Sequence, residues 1–225
     1  MSAGTHGASD IFGLGSDWEP QTSNKNTANE HADATGANGD VVAETTYGEN
    51  VTVSCPYIYV GAETTLTAAL DAIDTAAGGH VGQQPGTYTI TSIAVDLSPL
   101  GEGKRAVITF TGVDGFSADS EIYKPTITVT LTIGTIPDLL TNSDADSECT
   151  SATYTITAQY GTDADASGDI LRGATYKGVE TLALGYFGIP TLTTTGWQQT
   201  SATEDTSNGD FFRSSYAFMN GVDRE

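Results

Sequence analysis

Over Thr126-Ile-Thr-Val-Thr-Leu-Thr-Ile133, threonine and an aliphatic residue alternate without a break. Side chains of a strand point to opposite faces in turn, so this spelling gives one apolar and one polar face only in an extended chain. The same period of two runs from Thr87 to Leu97, where it slips phase near Ser92, the mark of a β-bulge. β-Branched side chains favour this geometry, and the chain holds about 36 threonines in 225 residues against 29 Asp and Glu. The expected fold class is therefore mainly β: a β-sandwich or open barrel with one flanking α-helix and an extended N-terminal arm.

Residues 1–36 are rich in Gly, Ser, Asn and Thr and lack periodicity, but Ile11, Phe12, Leu14 and Trp18 interrupt them. Large apolar anchors on a polar tether suit an arm that docks on a neighbouring subunit. The β-domain is expected over residues 37–225. Val41-Val42 and Val51–Cys55 flank Tyr47-Gly48-Glu49-Asn50, which reads as a hairpin turn. One helix is expected near residues 64–77: Thr64 or Thr65 caps it, Leu66, Leu70 and Ile73 form its stripe, and Gly78-Gly79 stops it. Further strands are expected at Ala106–Phe110, Thr126–Ile133 with Pro125 guarding its start, Ser151–Tyr160, Val179–Phe187 and Phe211–Phe218. Acidic loops lie near residues 138–149 and 163–169.

Lys and Arg total 8 against 29 Asp and Glu, a formal charge of −21. Scarce cations exclude sequence-independent binding to phosphates and a polybasic membrane module. Three settings produce such a charge: a high-salt cytoplasm, a surface that repels nucleic acid, or a merely soluble acidic domain. Cys55 and Cys149 are too few for a disulfide scaffold; a pair would need their two strands to be neighbours, and they read as two free, buried thiols. Residues 1–20 have no basic n-region or apolar core, so no secretory leader is expected. No apolar run is long enough to span a membrane.

No nucleophile elbow, zinc-binding helix or P-loop occurs, and His6, His31 and His80 read as surface residues, so no catalytic residues and no cofactor are expected. The best local motif is Asp163-Ala-Asp165-Ala-Ser167-Gly168-Asp169-Ile170, with oxygen side chains at alternate positions and Gly at the sixth. That matches the first half of a calcium loop, with Asp163, Asp165, Ser167 and Asp169 as ligands. The twelfth position, where a bidentate Glu belongs, is Ala174, and no helices flank the motif. An acidic turn between two strands gives the same letters.

With the Gly39-Asp40-Val41 entry into the first strands and Leu66–Ile73 as the lone helix, the layout resembles the tail tube subunits of tailed viruses. The scarcity of Lys is similar to that of proteins of a halophilic archaeon or its virus. The resemblance implies a non-enzymatic virion protein that self-assembles into stacked rings, contacts other tail proteins, and lets DNA pass without binding it. Lys104, Arg105, Lys124 and Arg213 are then expected at contacts or on the exterior, with Asp138–Glu148 and Asp163–Asp169 as candidates for an acidic lining. The alternatives are a capsid decoration or a receptor- or glycan-binding β-domain, and after these a glycan hydrolase.

Overall fold

The computed structural model describes residues 9–73, 78–97, 106–114, 120–131, 136, 138–164, 170–205 and 212–222. Its elements are β1 (Trp18–Pro20), β2 (Asn24–Thr35), β3 (Val41–Tyr59), α1 (Leu66–Asp71), β4 (Thr89–Asp96) and β5 (Val107–Val113). They continue with β6 (Thr141–Asn142), β7 (Glu148–Ala164), β8 (Ile170–Phe187), β9 (Leu192–Thr193), β10 (Gln198–Asp205) and β11 (Arg213–Val222). Nine strands form one antiparallel sheet in the order β1-β3-β5-β4-β7-β8-β11-β10, with β2 also on β3; β6 and β9 pair separately. Among the described residues the chain is mainly β with a single short helix, as its period of two implies.

Alternation decides which face is buried. Ile93 and Val95, Ile108 and Phe110, Tyr154 and Ile156, and Leu182, Leu184 and Tyr186 point into one core. The intervening Thr153, Thr155 and Thr109 are half-buried on the other face. The phase slip near Ser92 is a register shift between Ile90 and Ser92 against β5. Thr65 caps α1 by accepting a bond from the Ala68 amide at 3.3 Å.

Several expectations need correction. The helix stops at its Ala72 cap rather than near residue 77, and residues 74–77 lie outside the described part. Tyr47–Asn50 is no turn: β3 runs straight through it, and the register shift opposite Asn29 and Glu30 absorbs Gly48 as a bulge. The chain reverses at Gly36–Asp40 instead, where Gly39 donates to the Gly36 carbonyl with its φ at +81°. Thr126–Leu131, the most regular stretch of all, joins no ladder. Its backbone bonds go to the entry of α1 (Leu66 N to Val129 O, Leu131 N to Thr64 O) and to a carboxylate on β8. Ile127, Val129 and Leu131 still turn inward, so the alternation records the buried face and not the pairing. Ile133 lies outside the described residues.

The arm also differs. Phe12, Leu14 and Trp18 are buried in the chain's own core, and Trp18 starts β1 against Tyr59. Gly112 makes room: a Cβ there would come within 2.6 Å of the Phe12 ring. Residues 18–20 and 24–35 form β1 and β2, so these two stretches of the expected arm belong to the sheet.

The core carries buried hydroxyls with a measurable consequence. Burial first, then Cys55 and Asp10, push the Tyr57 hydroxyl far above its ordinary ionisation range. Burial and then Glu180 do the same for Tyr154, and burial and then Cys149 for Tyr186. These groups keep their protons in the folded state while the unfolded chain ionises from about pH 10. Their stabilisation is complete below that pH and is lost as pH rises above it. The urea midpoint should hold to about pH 9 and drop steeply by about pH 11; an unchanged midpoint across that span would refute the assignment.

Candidate functional site

Cross-strand register lines up Asn24, Ser54, Thr111, Ser92, Thr157, Val179 and Gly221 in one row across the sheet. On one side of this row β5 ends at Val113 and β4 begins at Thr89, but two hairpins carry on. The β2–β3 hairpin continues to the Thr35–Val41 pair, about 30 Å past Val51 by the rise of a strand. The β7–β8 hairpin continues to the Ala164–Ile170 pair, about 20 Å past Ala158. Both ribbons therefore leave the same end of the sheet.

Ala28, Asn29, Asp33, Ala34, Ala43 and Glu44 are all exposed, so the β2–β3 ribbon is wetted on both faces. Along β10 every residue is exposed too. Two-stranded ribbons and bare edge strands bury too little to be stable alone, and their outer backbone groups invite pairing.

At the opposite end, Phe187, Ile189 and Phe212 are exposed by 40%, 47% and 56%. The Arg213 guanidinium lies 5.4 Å from the centre of the Phe187 ring. The acidic stretch opens here as well. Asp144 accepts from the Asp146 amide at 2.9 Å while its own amide donates to Asn142 Oδ1, so the Asp144 carboxylate and the Asn142 amide shape a turn before Glu148 enters β7.

The remaining charged groups are placed as follows. Asp163 sits on β7 and takes a 2.6 Å bond from Arg172 Nε across the hairpin. Asp165, Ser167 and Asp169 lie outside the described residues, so the calcium candidate is represented by Asp163 alone. Among the described residues no group of three His, Cys, Asp or Glu is placed to hold a metal ion. A cleft of about 270 Å³ opens beside Tyr176, lined also by Gly161, Asp163, Arg172 and Ala174.

His80 is a correction. It is buried, its Nε2 lies 2.7 Å from Asp71 Oδ1, and Lys124 Nζ stands 3.9 Å from the same oxygen. The cluster ties the end of α1 to the turn before Val81. Gly79 and Gly82 beside it let the chain pack closely, since a Cβ at Gly79 would meet the Ile73 side chain and one at Gly82 the Glu121 carbonyl. His31 lies on β2, and His6, Lys104 and Arg105 are outside the described residues. Cys55 is a buried free thiol and Cys149 a half-buried one.

Sequence reasoning missed β2 and β10 and with them the exposed ribbon and edge. Their residues, such as Ser201-Ala-Thr-Glu-Asp205, have no apolar face because both faces meet water. Only their Thr content hinted at strands.

No protein-family model matches the chain, and no curated protein sequence matches it.

Proposed function

We propose that this chain is a virion structural subunit that assembles with copies of itself into rings, stacked as a tail tube for DNA passage. The carrying observation is the pair of ribbons leaving one end of the sheet, one of them wetted on both faces. Strand parity supports a ring. Every neighbouring pair from β1 to β10 is antiparallel, and the two edges of the sheet run in opposite directions. Copies related by rotation, all with the same end up, can then join β10 to the β1–β2 edge of the next as an antiparallel pair. A charge of −21 per copy keeps phosphates from sticking to such a conduit.

The same charge opposes assembly. Screening shortens from ~10 Å at 0.1 M salt to ~3 Å at 1 M, so rings and tubes should strengthen across that range. Negative-stain images and light scattering over a salt series test it. A chain that stays monomeric at every concentration would overturn the reading. The second reading, a capsid decoration or glycan-binding β-domain, draws on the Tyr176 cleft; such a protein stays small until capsid or glycan is added.

A further inference from the structure

We infer that the bulge at Lys177 is a locked corner that aims the β7–β8 ribbon at a second copy of this chain, and that segment 120–131 is the lock. The inference rests on the self-assembly proposed above and adds what holds the contacting element in place.

The β7–β8 register shifts between Ala158 and Gln159, leaving Lys177 as the extra residue on β8. Its φ is +53°, the only left-handed backbone at a non-glycine among the described residues. A bulge bends its strand and raises the local twist, so the direction in which residues 159–164 and 170–176 leave the core is fixed here. An L side chain rarely accepts this conformation, and it persists only where surrounding contacts over-determine it.

Those contacts come from one crossing strap, which grips β8 on both sides of the corner. On the ribbon side, the Glu121 amide donates to the Thr175 carbonyl at 3.2 Å, and the Thr175 hydroxyl donates back to the Glu121 carbonyl at 2.6 Å. At the corner, the Tyr123 ring covers Gly178 so closely that a Cβ there would lie 2.4 Å from it. On the core side, the Thr126 amide donates to Glu180 Oε1 at 2.6 Å. The strap is itself held by the core, through Tyr123 N to Val81 O at 2.9 Å and Leu66 N to Val129 O at 2.8 Å. Thr175 is buried although it lies on the ribbon side of the bulge, so the lock reaches past the corner.

The test uses the full chain with Lys177→Gly, which lets the corner adopt other angles, and Thr175→Val, which removes one strap bond with little change of shape. Both variants should remain folded. Amide exchange in residues 159–164 and 170–176 should quicken by about tenfold in Thr175→Val, the effect of losing one hydrogen bond. It should also quicken in Lys177→Gly, which loses no bond but frees the backbone at the corner. The concentration needed for assembly should rise by a similar factor. If the wild type assembles and both variants assemble as readily, or if exchange in the ribbon is unchanged, the locked corner is wrong. A wild-type chain that never assembles overturns the assembly reading and this proposal together.

Discussion

Deleting residues 1–20 should leave a chain that does not fold. Phe12 is fully buried, with its ring centre 5.9 Å from Phe110 and 6.5 Å from Tyr57. Trp18 sits 4.9 Å from Tyr59 and 5.3 Å from Phe110. Truncating a core Phe or Trp costs about 3–5 kcal/mol and a core Leu about 2–5 kcal/mol. Losing Phe12, Leu14 and Trp18 together matches or exceeds the roughly 5–15 kcal/mol that holds a typical domain. Far-UV circular dichroism and a urea melt decide it, and a truncated chain that still melts cooperatively would show that the segment is dispensable. The single change Phe12→Ala should lower stability by about 3–5 kcal/mol without abolishing the fold.

Glu180→Leu should be nearly as damaging for a different reason. Glu180 is fully buried on β8 and serves only as an acceptor: from the Tyr154 hydroxyl at 2.5 Å, the Thr126 amide at 2.6 Å, the Thr126 hydroxyl, and the Asn220 side-chain amide at 3.5 Å. Leucine fills the space but strands a buried hydroxyl and a backbone amide. Each stranded group costs about 1–3 kcal/mol, so the loss from the two should be about 2–6 kcal/mol. At this chain length that lowers Tm by roughly 10 °C. Adding Tyr154→Phe to Glu180→Leu should recover part of the loss, because it removes one stranded donor. If the double variant is less stable than Glu180→Leu, the hydroxyl–carboxylate bond is not what holds the site.

The residues that disclosed the fold were those that face two ways. Thr87–Leu97 revealed its strand and its bulge because alternate side chains meet core and water. Leu66, Leu70 and the Thr65 cap revealed the helix, whose end the sequence placed too late. What stayed hidden were segments that face one way or none. β10 and the outer half of β2 meet water on both sides, so no period marks them. Thr126–Leu131 has the period of a strand but spends its backbone on α1 and Glu180, partners too distant in sequence for a local pattern to register. Phe12 and Trp18 looked like the anchors of a free arm because the chain between them and β3 is polar. That polar stretch is β2, an outer strand.

Both ribbons leave the same end of the sheet, with Phe187 and Phe212 at the other. Any column of like-oriented copies therefore has two chemically different tips, one bristling with strands and one where exposed aromatic rings sit beside an acidic turn. Subunits meet a different surface at each tip, so growth there proceeds at different rates. A factor that starts such a column and one that stops it need share no feature, and each can find its place by recognising a single tip.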